Sequence, residues 1–393
     1  MTRRVLGWVA IGVAALMITG LVGPWLWRDK PGGLAVVRPV AIKPVTSARR
    51  SVVGTPVMSR VQLPAEVTPE SPIEVCGIGM IADRRALQQA QSQVDAGVSA
   101  AVERTQAALL ASSDNRARAA GLLMQVKNAD LPPGEAARDD LARMATSSND
   151  PVVYAMALSA CAVDDAGSAG PCEHVTAQSW AAVDRDNTMP WLLLAQQAAE
   201  RHDAEAEAAS FARAAAAHEV DGYVMSLVSY AQSAFPDRAT PLERFGVYGS
   251  YAGVAATGSW SWQYTARHCA EAAVMESAVR AQCSAVAERM VTKGRTILEF
   301  AIGTAIGAKA GWSAERVDAL RLEKKALMQV GGLDFSDPTH FMGCEAVQER
   351  TAHLKEVADN GEMGAFRGML ERSGVTVREL AQRYDERIGG HER

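Results

Sequence analysis

Six cysteines are the residues of this chain best suited by type to do chemistry: Cys76, Cys161, Cys172, Cys269, Cys283 and Cys344. None lies in a CxxC pair or beside a histidine at metal-ligand spacing, so no metal site is predicted. An even count points instead to sulfur–sulfur bonds and an oxidising compartment. The seven histidines are scattered. His202-Asp203 reads as a solvated loop pair, and His218-Glu219 as a helix end, where histidine suits the dipole. No HExxH, GxSxG, Walker loop or Rossmann glycine pattern occurs. No catalytic or cofactor-binding residue is therefore assigned, and a non-enzymatic role is favoured without being decided.

Two glycine series carry weaker signals. Gly246, Gly249 and Gly253 in FGVYGSYAG lack the preceding strand that a phosphate loop needs. Gly303, Gly307 and Gly311 in AIGTAIGAKAG have the four-residue spacing that lets helices approach closely. Between Glu299 and Lys309 the apolar run is too short for a membrane span. The densest aromatic stretch runs from Phe245 to Tyr264. It reads either as core or as a groove for a peptide or glycan, with Tyr248, Tyr251, Trp260, Trp262 and Tyr264 contacting the ligand.

The elements that must position these residues are helical. Hydrophobic residues make up 48% of the 393 and aromatics 6%. Alanine is abundant, as in the run Ala206–Ala217, and alanine loses no side-chain entropy in a helix. With arginine outnumbering lysine, the composition suggests a GC-rich bacterial genome. The net charge of −5 is unevenly spread. Residues 1–72 hold 9 basic and 3 acidic groups, and the remainder 31 basic and 42 acidic. An acidic body excludes a general nucleic-acid binder, which needs clustered positive charge. The basic N-terminal part suits anionic lipid headgroups.

Val5 to Trp27 is an uncharged stretch of 23 residues, preceded by Arg3 and Arg4. At ~1.5 Å per residue it covers a ~30 Å hydrocarbon core with some tilt. Trp8 near one end and Trp25 and Trp27 at the other resemble an interfacial aromatic belt. Residues 1–27 are therefore expected to be a transmembrane signal anchor, with residues 5–27 in contact with inner-membrane lipid. Cleavage as a secretory signal is the alternative, against which stands the bulky Trp25-Leu26-Trp27 end. Positive charges flank both sides, so the cysteines decide the orientation: a single-pass inner-membrane protein with its body in the periplasm.

Residues 28–72 contain seven prolines and no apolar period, which predicts a disordered linker with at most a short strand near Val52–Val61. From Asp83 onward apolar residues recur at spacings of three and four. Helices are predicted at 83–110, 115–126, 134–145, 151–163, 171–183, 189–201, 203–218 and 221–234. After the aromatic stretch they follow near 262–292, 295–309, 313–330, 338–358, 361–373 and 375–387. Asp150-Pro151 is a strong start signal, a capping carboxylate before proline at the first helical position. No strand is expected in the body.

One segment carries a family resemblance. Residues 184–218 resemble a tetratricopeptide repeat, a helix-turn-helix unit of 34 residues. Trp191, Leu194 and Ala195 match its first helix, Phe211 and Ala214 its second, and Asp203 its turn. Ala198, Glu207 and Arg185 depart from the pattern, Glu207 replacing a packed alanine. A weaker match covers 151–184. The resemblance implies stacked helical hairpins, in an irregular α-solenoid or bundle, and a protein-binding role. In the upstream frame Cys161 and Cys172 fall where two antiparallel helices approach most closely, which would bring them within bonding reach. Cys269 and Cys283 would stand roughly 21 Å apart on one straight helix, and only a turn near Glu276-Ser277 would let them pair. That would leave Cys76 to meet Cys344.

The expectation is thus an all-α protein behind an N-terminal transmembrane helix. A helical-repeat-like region spans 73–240, and a C-terminal helical region 241–393. Its expected function is that of a scaffold for an unknown envelope protein or peptide, with a cell-wall-hydrolase-like enzyme as the alternative. The anchor makes a direct prediction. The mature protein should stay in the membrane fraction and resist carbonate extraction; soluble protein beginning near residue 28 would overturn it.

Overall fold

The computed structural model describes residues 72–127, 134–162, 170–223, 225–235, 238–256, 262–272, 276–332 and 343–390. The expected anchor and linker, up to residue 71, lie outside the described residues. Among these, no helix is long and apolar enough to cross a membrane. The body is all-helical apart from one small hairpin.

That hairpin corrects the expectation of no strand. β1 (Ile73–Val75) and β2 (Gly79–Ile81) pair antiparallel, Ile73 opposite Ile81. Alternation buries Ile73, Val75 and Ile81 on the first turns of α1 (Arg84–Leu110). The turn needs positive φ at Gly77 (82°) and Gly79 (118°), which glycine adopts without a Cβ clash. Three-residue strands are too short for an apolar period to register in the sequence.

The helices start where capping residues stand. The Asp83 carboxylate accepts from the Ala86 amide and opens α1. After α2 (Asn115–Lys127) and α3 (Gly134–Ser148), Asp150 caps α4 (Pro151–Cys161) with Pro151 in the first turn. Such a cap stabilises a helix by about 1 kcal/mol. The helix expected over 171–183 is broken: a 3-10 turn at Gly170–His174 precedes α5 (Ala177–Val183), which Thr176 caps. The helical hairpin expected over 189–218 is α6 (Thr188–Glu200) and α7 (Ala204–Ala216), with Asp203 capping α7 and His202 at the turn in the left-handed region. The next helix is shorter than expected. α8 covers only Ser226–Ser233, because Asp221 and Tyr223 are held outside it.

The stretch from Pro241 is helical, as α9 (Pro241–Ala256), so Gly246, Gly249 and Gly253 form no phosphate loop. A Cβ at Gly246 would collide with Val98 of α1, which accounts for the glycine. The long helix expected over 262–292 is two, α10 (Trp262–Ala272) and α11 (Ser277–Lys293). α12 (Ile297–Lys309) opens with a capping box of Thr296 and Glu299. Its Gly303 lies against Met290 and Ala287 of α11, the close helix approach that the spacing implied, whereas Gly307 faces the Trp312 ring and Gly311 lies beyond the helix end with nothing against it. α13 (Ala314–Gly331) follows. α14 (Cys344–Arg372) bends at Gly361 (φ 73°, ψ 165°), and α15 (Val377–Gly390) ends the body.

Helices adjacent in sequence pack on one another from α1 to α7. α7 then packs on α11, and α12, α13 and α15 continue the series. α9 lies between α1 and α14, so the first helices and the C-terminal ones share a core around Leu242, Phe245, Tyr248 and Val347. The open end of the α6–α7 hairpin is closed by backbone pairing. The Thr188 amide donates to Glu219 O (2.8 Å), and the His218 and Glu219 amides donate to Asp186 O. The Asn187 side chain bonds both the carbonyl and the amide of Asp221.

All six cysteines are paired. The α carbons are 5.7 Å apart in Cys161–Cys172, 5.6 Å in Cys269–Cys283 and 4.5 Å in Cys76–Cys344. The turn near Glu276 is what brings Cys269 and Cys283 together. Cys161–Cys172 does not cross two facing helices, as its repeat frame implied. It joins the last residue of α4 to the 3-10 turn. Cys76–Cys344 spans 268 positions and fastens the β-hairpin to the start of α14. In the chain-entropy picture such a loop stabilises the fold by roughly 5–6 kcal/mol. Replacing both Cys76 and Cys344 by alanine should lower the urea unfolding midpoint accordingly, and an unchanged midpoint would refute the role. All six cysteines should resist alkylation until the protein is reduced. Free thiols at Cys161 and Cys172 in protein taken from cells would undo the argument for an oxidising compartment.

Candidate functional site

Of the aromatic residues expected to line a groove, those described do not line one surface. Tyr248 is buried between α8 and α14, edge-on to Phe235 with ring centroids 4.9 Å apart. Its hydroxyl meets Gln232 Oε1 at 3.1 Å, and burial pushes its pKa up to about 12. Tyr251 is enclosed in the α1–α4 core, and its hydroxyl has no hydrogen-bond partner among the described residues. Trp262 is half-buried between that core and the one around α6 and α7. Trp260 lies outside the described residues. The apolar area of these rings explains the placement: α9 has core on both sides, so its aromatics face different clusters.

Tyr264 is different, because it leads to two polar groups. On α10 it stands one turn before His268, and both face Glu207 of α7. Glu207 Oε1 accepts from the Tyr264 hydroxyl at 2.8 Å and lies 2.9 Å from His268 Nδ1. An ionised carboxylate only accepts, so the proton of a neutral imidazole sits on Nδ1 and leaves Nε2 as an acceptor. Phe211 covers the imidazole, with ring centroids 4.2 Å apart. His268 and Glu207 side chains keep 19% and 23% of their exposure, so the group is sheltered but reachable. Burial, then the Glu207 hydrogen bond, raises the pKa of Tyr264 well above that of free tyrosine, and its hydroxyl stays a donor.

This arrangement can accept a proton or a hydrogen bond at His268 Nε2, with Glu207 fixing the ring. A carboxylate orienting an imidazole is the geometry of general bases and of metal-ligating histidines. Among the described residues, however, no group of three or more metal-type ligands occurs. Sequence reasoning reached Tyr264 through the aromatic cluster. It missed His268, since a lone histidine carries no spacing signal. Glu207 had a signal, being the residue that replaces the repeat's packed alanine.

Glu207→Ala should destabilise the body by about 1–3 kcal/mol, because it strands a buried hydroxyl and an imidazole N–H. Glu207→Gln keeps an acceptor and should lose less. Urea unfolding measures both, and nitrogen NMR of His268 reports whether Nδ1 keeps its proton. Equal stability of wild type and the alanine variant would show that the three groups are not coupled. No family model, characterised protein or solved structure matches the chain.

Proposed function

We propose that the protein is a membrane-tethered helical scaffold whose α6–α7 region binds another envelope protein or peptide. The observation that carries this reading is the outer helix α7. It is anchored to the body through the buried Phe211 and Ala214 and through Glu207, while Ala204, Ala208, Ala209 and Ala216 are exposed. An alanine surface on a fixed helix loses almost no side-chain entropy when a partner covers it. The resemblance of residues 184–218 to a tetratricopeptide unit supports the same use, since such units serve as protein-binding scaffolds. Three disulfides fit a body facing an oxidising compartment.

The oriented imidazole of His268 favours a second reading, a cell-envelope enzyme of hydrolase type acting on cell-wall material. The two readings separate experimentally. A photo-crosslinking residue placed at Ala208 or Ala209 in cells should give a discrete adduct, which a control position on α13, Ala319, should not. Ala208→Arg should abolish the adduct without changing thermal stability. No adduct at any of the four exposed alanines would sink the scaffold reading. Cell-wall turnover by the purified protein, lost in His268→Gln, would establish the enzymatic one.

A further inference from the structure

Four breaks between helices meet at one partly buried point. They are the α5–α6 turn (Asp184, Asn187), the exit from α7 (Asp221, Tyr223), the α11–α12 turn (Arg295, Thr296) and the bend of α14 (Gly361, Glu362). Asp184 Oδ2 accepts from Asn187 Nδ2 (2.8 Å) and from the Tyr223 hydroxyl (3.0 Å). Asp221 accepts from the Tyr223 amide (2.6 Å) and from Arg295 Nη1 (3.3 Å). Glu299 Oε2 accepts from the Arg295 and Thr296 amides (2.6 and 2.9 Å). Glu362 Oε2 accepts from the Ile297 amide (2.8 Å), and the Met363 amide donates to Arg295 O (3.0 Å).

The backbone is bent to make this meeting. Tyr223 sits in the left-handed region (φ 57°), a conformation unfavourable for a bulky residue and tolerated where surrounding bonds hold it. Gly361 is left-handed too, and Arg295 lies against the place of its missing Cβ. Gly294 is needed where Glu299 folds back on its own turn.

The charges do not balance. Four carboxylates gather at the junction, and its one guanidinium, Arg295, pairs with Asp221. The other charges around the junction are already engaged: Lys293 with Glu219, Arg367 with Glu323, and Lys355 with Asp359. Arg289 donates to Ala217 O, and Asp186 adds a further negative charge beside Asp184. Glu299, only 4% exposed, is bonded to backbone amides and, among the described residues, to no cation.

We propose that this junction is a proton-operated latch: with Glu299 neutral it clamps the α11–α12 turn to the α14 bend and the exit of the α6–α7 hairpin, and with Glu299 ionised the clamp loosens. The idea stands apart from the scaffold reading, since it rests on the junction alone. Burial pushes Glu299 up to about 7, against the lowering by its two amide bonds. Burial also raises Glu362, Asp184 and Asp221. A carboxyl whose folded pKa exceeds its ordinary 4.5 binds its proton more tightly in the closed junction than in an opened one. Closure is therefore strongest below about pH 4.5 and weakens as pH rises through 7. Over that span the closing equilibrium should fall on the order of a hundredfold.

Native-state hydrogen exchange on the disulfide-intact full chain tests this, with protection corrected for the intrinsic pH dependence of exchange. Protection of residues 294–300 and 360–364 should fall on the order of a hundredfold between pH 5 and pH 8, while that of α3 holds. Glu299→Gln, neutral at every pH, should flatten the response. Carboxyl carbon NMR on the unmodified protein gives an answer even if that variant does not fold: Glu299 should titrate with a midpoint near 7. A midpoint below 5, a pH-independent protection at 294–300, or an unaltered response in Glu299→Gln would overturn the latch.

Discussion

Close approach between helices with small side chains is the constraint on which this structure depends. In α2, α3 and α4 the contacts are made largely by alanines with no exposed surface, among them Ala119, Ala120, Ala142, Ala145, Ala157 and Ala160. An alanine buries little apolar area, so such a contact is favourable only if backbones come near enough for every methyl to touch. Glycine is used where even a methyl would obstruct, at Gly246 against Val98 and at Gly303 against α11. Helices that hold each other this weakly per residue have to be fixed at their ends. Capping carboxylates, the pairing of residues 186–188 with 218–221, and three disulfides do that work.

Legibility in the sequence followed from which force acts where. Helix starts at Asp83, Asp150 and Asp203 could be read because a capping carboxylate acts within three residues of itself. The turn between Cys269 and Cys283 was a condition rather than a prediction, because EAAVMES offers no glycine or proline to mark it. The β-hairpin was missed because each strand spans three residues, less than two periods of alternation. The helix from Pro241 was obscured by glycines at 246, 249 and 253, of which Gly246 answers to Val98 of α1, far away in sequence. The aromatic cluster misled for a similar reason. Nearness along the chain suggested one surface, whereas a helix turned between two cores sends Tyr248 and Tyr251 to opposite partners.

Polar side chains occupy the places where packing leaves backbone groups unpaired. Asn187 serves as an extra peptide group, matching the donor and acceptor of Asp221 across a gap that no strand fills. Glu299 and Glu362 do the same for amides at the start of α12. Glu207 has a different task. It holds two side chains of α10, Tyr264 and His268, against α7. None of these roles can be seen from residue type alone, since each depends on an atom more than thirty positions away or on the local turn of the backbone.

The Cys76–Cys344 bond also determines how the body would carry a mechanical load. Residues 77–343 lie inside the loop that this bond closes. A pull applied at the two ends of the chain crosses directly from position 76 to position 344 through sulfur. Among the described elements the force then runs only through β1, α14 and α15, and helices α1 to α13 stand outside its path. Tension can strip the last two helices from the body, but it cannot unravel what the covalent loop encloses.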